Sequence, residues 1–196
     1  MKVAIIKYNA GNVKSVEIAL ERLGISPVLT DDPAEILSSD KIIFPGVGEA
    51  SSAMEYLKNR KLDTVILNAT QPFLGICLGM QLMCLHSAEN DTICLGIFQQ
   101  NVMQFDVNKI HLKSPQIGWN NIYNLKTSLF KEVAENSYCY FVHGYFATLG
   151  EQTIATSDYG LEYSSALNHK NYFGVQFHPE KSADTGSKII QNFLES

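Results

Sequence analysis

The chain has 196 residues, 45% hydrophobic and 18% charged, with no low-complexity tract, enough apolar material for a sizeable core and the length of one domain. Its net charge of −5 offers no basic field to nucleic acid or an anionic membrane, and its apolar runs stop well short of the ~20 residues a membrane span needs. The cysteines Cys77, Cys84, Cys94 and Cys139 show no CxxC pairing and no histidine at zinc-ligand spacing, and MKVAIIKYNAGN, its apolar run broken by Lys7 and without a cleavage-site pattern, is not expected to be a signal peptide. They read as reduced thiols in a cytosol, and no metal or cofactor is expected.

Lys2 to Lys7 is a short β-branched run that reads as a buried strand. A turn over Asn9-Ala10-Gly11-Asn12 leads into Val13, Val16, Leu20 and Leu23 at helical spacing, stopped by Gly24. Strands are predicted over Ser26–Thr30 and Lys41–Phe44, with a helical stretch opened by Asp32-Pro33 between them. After Pro45-Gly46-Val47-Gly48 come helices over Glu49–Asn59 and Leu62–Ala69, then a strand over Phe73–Ile76. This alternation predicts a largely parallel sheet with helices on both faces. From about Thr92 the pattern turns to short alternating or aromatic runs: Val102–Phe105, Tyr138–Val142, Thr153–Thr156, Tyr163–Leu167 and Tyr172–Phe177. These predict a mostly antiparallel β portion, with a helix at Ser128–Glu135 and a closing helix from Gly186 to Leu194. No linker or repeat divides the chain, so residues 1–196 read as one α/β domain.

A strand ending Gly75-Ile-Cys77-Leu-Gly79 before an amphipathic stretch has the form of a nucleophile elbow, with glycines two residues either side of the raised side chain. A thiol at the start of a helix is favoured as thiolate. On this motif alone a buried packing cysteine is an equal reading. Cys84, Cys94 and Cys139 lack such glycines and are assigned to packing.

A cysteine nucleophile needs a base, and the base an orienting group. Of the five histidines, His178 stands out in Phe173-Gly-Val-Gln-Phe-His178-Pro-Glu180, where an apolar strand delivers an imidazole to its end and Glu180 returns toward it. His86 is expected on the helix after the elbow, and His111 and His169 in loops. His143, in Tyr140-Phe-Val-His143-Gly, has no carboxylate nearby in sequence. Gly46-Val47-Gly48 closes another strand and could turn N–H groups toward an oxyanion, although a plain turn would read the same way; for a phosphate cradle the Gly-Lys-Ser/Thr that should follow is missing.

Gly75-Ile-Cys77-Leu-Gly-Met-Gln81, with Phe177-His-Pro-Glu180 about a hundred residues later, resembles the class I (triad) glutamine amidotransferases. Within that class the chain is similar to the glutaminase subunits of imidazole glycerol phosphate synthases. The matching stretches are Tyr8-Asn-Ala-Gly-Asn12 with Ser15-Val16, Phe44-Pro-Gly-Val-Gly-Glu49, Ile117-Gly-Trp-Asn120, Tyr140-Phe-Val-His143 and Gln176-Phe-His-Pro-Glu-Lys-Ser182. Departures are Lys7 and Asn9 in the first turn, Gln116 where histidine is usual, and Gly144 where serine is usual. The resemblance implies a three-layer α/β fold and a Cys77–His178–Glu180 triad that hydrolyses glutamine through a thioester. It also implies an oxyanion site from Gly46, Val47 and Leu78, and substrate contacts from Gly48 and Gln81. The expected partner is a (β/α)₈-barrel cyclase, in a heterodimer that takes the ammonia into histidine biosynthesis, with Asn12, Trp119, Tyr140, His143 and Lys181 facing it. The glutaminase component of another amidotransferase, a cysteine hydrolase on the same scaffold, and a binding protein without chemistry are the rival readings.

Overall fold

Apolar β-branched runs separated by amphipathic stretches bury both kinds of face only if the strands lie side by side and the helices pack back over them. The computed structural model describes residues 1–8 and 11–196, so the expected turn at Asn9-Ala10 lies outside the described residues. In chain order the first half runs β1 (Val3–Ile6), α1 (Val13–Arg22), β2 (Val28–Thr30), α2 (Pro33–Leu37), β3 (Lys41–Gly46), α3 (Ala50–Asn59), α4 (Leu62–Leu67), β4 (Phe73–Cys77) and α5 (Leu78–Leu82). Then follow β5 (His86–Ser87), β6 (Thr92–Ile93), β7 (Asn101–Gln104), α6 (Val107–Ile110), β8 (Gln116–Ile122), β9 (Ser137–His143) and β10 (Tyr145–Ala147). The chain finishes with β11 (Thr153–Asp158), β12 (Glu162–His169), β13 (Tyr172–Val175) and α7 (Ala183–Glu195).

Five strands, β2-β1-β3-β4-β13, are parallel neighbours, and β12, β10 and β7 extend the same sheet antiparallel before β5 and β6. β11 pairs with β12 alongside this path. Successive side chains of each strand point to opposite faces. Val3 and Ile5 of β1, Ile43 of β3 and Leu74 and Ile76 of β4 join a core with Val16 and Leu20 of α1 and Ile189, Ile190 and Phe193 of α7. Ile6, Ile42, Phe44 and Phe73 join a second core on the other face, under α2, α3, α4 and α5. The result is helix, sheet, helix, as expected for a three-layer α/β fold. β8 and β9 form a separate antiparallel ribbon in continuous register from Gln116↔His143 to Ile122↔Ser137.

Local chemistry explains the helix starts. Asp32 accepts from Glu35 N at 2.9 Å with Pro33 in the first turn, and Glu49 accepts from Ser51 N and Ser52 N at 2.9 Å each. Three expectations need correction. Ser128–Glu135 is not a helix but a single 3₁₀ turn, Ser128–Phe130, because Lys131 (ψ 128°) and Glu132 (φ 60°) leave helical space. The Asn192 amide instead holds the Leu129 and Lys131 carbonyls, at 3.0 and 2.8 Å. His86 is not on the helix after the elbow, because α5 ends at Leu82; it lies on β5, with Nε2 2.8 Å from Asp91 Oδ1. His169 is the last residue of β12 rather than a loop residue. β8 is a strand beyond those expected, and α7 starts three residues earlier than expected.

Candidate active site

β3, β4 and β13 run side by side in parallel, with Gly46 paired to Cys77 and Val175 to Ile76, so their C-terminal ends bring three distant segments to one edge. Cys77 ends β4 at φ 54° and ψ −110°, a conformation costly for a side-chain-bearing residue, and α5 starts at the next residue. The flanking glycines make the turn possible. A Cβ on Gly79 would lie 1.9 Å from the Phe44 carbonyl oxygen, and one on Gly75 would lie 2.9 Å from the backbone of Gly79 and Met80. Cys84, Cys94 and Cys139 are buried free thiols whose burial pushes their pKa values up, to about 11 for Cys94 and about 12 for Cys139.

His178 and Glu180 arrive on the 3₁₀ turn Pro179–Lys181 beyond β13. That turn is strapped to the middle of β9. His178 N donates to Tyr140 O at 2.9 Å, Tyr140 N donates to Ser182 Oγ at 2.9 Å, and Ser182 Oγ donates to His178 O at 2.7 Å. Both side chains of the pair are buried, with His178 Nδ1 2.8 Å from Glu180 Oε1. A carboxylate only accepts, so Nδ1 carries the proton and Nε2 is the ring's basic nitrogen. Nε2 and Glu180 Oε2 are buried without hydrogen-bond partners among the described residues. Burial works against the imidazolium, but the Cys77 sulfur and the Glu180 carboxylate outweigh it and raise the His178 pKa to about 10.

The sequence placed Asn12 only at a partner face; the structure joins it to this pair. Its Nδ2 donates to Glu180 Oε1 and lies 3.3 Å from His178 Nδ1. Asn12 precedes α1 without capping it through its side chain, because the amide is turned toward the carboxylate.

Cys77 opens into a cleft of about 310 Å³ whose wall includes Val47, Gly48, Leu78, Gln81, Glu89 and His143. Gln81 is buried, its Nε2 donating to Tyr145 O and Gln176 Oε1 at 2.9 Å each. His143, expected at the partner face, is 6% exposed and belongs to this wall, where its Nδ1 donates to Tyr145 O at 2.7 Å. Burial above all lowers its pKa to about 4, so it is neutral. Glu89 is a cleft residue that sequence reasoning missed. It sits on the turn Glu89–Asp91, accepts from Ala50 N at 2.8 Å, and has a pKa raised mainly by burial. Nothing in Ala88-Glu89-Asn90-Asp91 distinguishes Glu89 from Asp91 before the chain folds.

The family model "Glutamine amidotransferase class-I" matches residues 4–196. The chain belongs to the class-I glutamine amidotransferase family. It is 50% identical over 195 residues to "Imidazole glycerol phosphate synthase subunit HisH" of Bacteroides fragilis, with all of both chains covered. It is 48% identical over 195 residues to the protein of the same name in Bacteroides thetaiotaomicron, again with full coverage of both. Among solved structures, PurLQS from Thermotoga maritima superposes with TM-score 0.73 at 18% identity, over 99% of this chain and 97% of that one. A glutamine amidotransferase from the same organism gives 0.66 at 20% identity, over 99% and 82%. At those identities the likeness is one of fold.

The β8–β9 ribbon gives this amidotransferase an exposed apolar face. Ile117 pairs with Val142, Trp119 with Tyr140 and Asn121 with Tyr138 on its outer side, and Ile117, Trp119 and Tyr138 are 64%, 54% and 61% exposed. The Trp119 and Tyr140 rings meet edge to face at 6.0 Å, and Lys181 is exposed in the neighbouring groove with Arg22. Trp119 is therefore a surface tryptophan, and Val142 links this face to the wall of the Cys77 cleft.

Proposed function

We propose that the chain is the glutaminase subunit of an imidazole glycerol phosphate synthase, hydrolysing glutamine at Cys77 and passing the ammonia to a (β/α)₈ cyclase. The reading rests on one observation above the others: a buried His178–Glu180 pair, its free ring nitrogen beside a cysteine on a strained elbow, in a chain half identical to proteins named as subunit HisH of that synthase.

Cys77 Sγ attacks the side-chain carbonyl carbon of glutamine while its proton resides on His178 Nε2. The oxyanion meets the N–H of Leu78 and an N–H of the Gly46–Val47–Gly48 loop, a donor of a kind worth ~10²–10³ in rate. His178 gives its proton to the amide nitrogen, ammonia leaves, and a thioester remains. Water attacks the thioester with Nε2 as base, and glutamate departs. Glu180 keeps Nδ1 protonated throughout, and Asn12 holds Glu180. In the cleft wall that also includes Gln81 and Gly48, the Glu89 carboxylate is the complement for the substrate's ammonium group. The apolar face around Ile117, Trp119, Tyr138 and Tyr140, with Lys181 beside it, is where the cyclase docks.

Cys77→Ala tests the reading in the complex with the cyclase. Glutamine-dependent synthesis should vanish while ammonium-dependent synthesis persists. Loss of both would show that Cys77 serves something other than glutamine cleavage.

A further inference from the structure

Gln176 is fully buried, yet its side chain ends at the sulfur of Cys77. Its Nε2 lies 3.6 Å from Sγ, and its Oε1 accepts from Gln81 Nε2 at 2.9 Å. Gln81 Nε2 also donates to the Tyr145 carbonyl at 2.9 Å. That carbonyl sets the polarity of the whole row. A backbone C=O can only accept, so Gln81 must turn its nitrogen toward Tyr145. The same nitrogen meets Gln176, which must therefore present oxygen to it and nitrogen to the sulfur. Turning either amide over would set nitrogen against nitrogen or oxygen against oxygen in a buried place.

The other groups around Sγ play different parts. The Val142 carbonyl, 3.9 Å away on β9, can only accept, so it suits a neutral S–H. His178 exchanges the proton with sulfur. Tyr8 reaches in from beyond β1, and its buried hydroxyl has no partner among the described residues. Gln176 supplies the uncharged N–H within hydrogen-bond distance of the sulfur, and a donor there favours the charged form of the acceptor.

We propose that Gln176 is a catalytic residue that donates an N–H···S hydrogen bond to the Cys77 thiolate, held in that orientation by Gln81 and the Tyr145 carbonyl. The inference rests on Cys77 being the nucleophile. Because Gln81 also lines the substrate cleft, one row of amides joins the pocket wall to the attacking atom.

The test is Gln176→Met in the protein bound to its cyclase, with iodoacetamide alkylation of Cys77 followed by peptide mass mapping across pH, beside glutamine kinetics. In the variant the midpoint of the alkylation profile should move up by about one pH unit, kcat should fall about tenfold, and KM for glutamine should stay within about twofold. An unmoved profile overturns the proposal, as does a change confined to KM, which would make Gln176 only a support for Gln81. Should the methionine variant not fold, Gln176→Asn keeps the amide but stops one methylene short of the sulfur and is read the same way. Alkylation of wild-type Cys77 that spares glutamine turnover would instead sink the nucleophile assignment.

Discussion

Glu180→Gln separates two things the carboxylate does, orienting the imidazole and carrying charge, because Asn12 constrains how a glutamine can sit there. Asn12 Nδ2 and His178 Nδ1 both face Glu180 Oε1. As long as Asn12 keeps its Nδ2 turned to that position, a glutamine keeps its oxygen there, since its NH₂ would oppose the Asn12 NH₂. The imidazole thus retains its working tautomer and loses only the opposite charge. Two unit charges about 4 Å apart, at an effective dielectric of about 20, attract by about 4 kcal/mol. In the resting enzyme that attraction helps hold the imidazolium beside the Cys77 sulfur. Without it the pair reverts to thiol and neutral imidazole, and the cost of re-forming the charged pair lowers kcat by up to about 10³-fold. Adding Asn12→Ala frees the glutamine to turn over and forces the wrong tautomer, which in triads of this kind costs ~10⁴. The assay is glutamine-dependent synthesis in the complex, with the ammonium-dependent rate as the internal standard. A Glu180→Gln enzyme within tenfold of wild type, or a double variant no worse than the single one, would refute this account of the pair.

His143 makes stability depend on pH. It is neutral in the fold, with a pKa of about 4 against an ordinary 6.5, so as pH falls through that window the unfolded chain takes the proton first and stability is lost. Between pH 7.5 and pH 5 the loss from this group is about 2 kcal/mol, and urea titrations of His143→Gln should show a stability loss over that pH interval smaller by that amount. Gly79→Ala, whose Cβ would sit 1.9 Å from the Phe44 oxygen, should cost roughly 3 kcal/mol and lower the melting temperature by about 6–12 °C. Gly144→Ala, with nothing nearer than 3.7 Å, should melt within about 2 °C of wild type in the same calorimetric series. Trp119→Ala removes a side chain that is 54% exposed, so it should leave the melting temperature of the lone protein nearly unchanged. Titration calorimetry should show it weakening cyclase binding at least tenfold; undiminished affinity would move the docking face elsewhere.

Much of the fold is legible in local pattern. Alternating β-branched and helical periodicities report the backbone state of each segment, and the parallel half from β1 to α5 follows from them with boundaries shifted by a residue or two. The glycines around Cys77 and the Pro179–Glu180 turn after an apolar strand likewise carry their own steric reasons, so the candidate nucleophile and its candidate base could be named before any contact was known. The failures come where local pattern is outvoted. Ser128–Glu135 has helical spacing, but its carbonyls are claimed by Asn192, more than sixty residues away. His86 continues a helical pattern that β5 pairing with β7 cuts short. Only the tertiary structure decided that Glu89 enters the cleft, that Asn12 turns to Glu180 instead of capping α1, and that His143 lies inside it while Trp119 lies outside. It alone laid Gln81 and Gln176 end to end against the sulfur. The physical reason is strand order: β13 inserts beside β4 although about a hundred residues separate them, and which side chains then meet is a property of that juxtaposition, not of either segment.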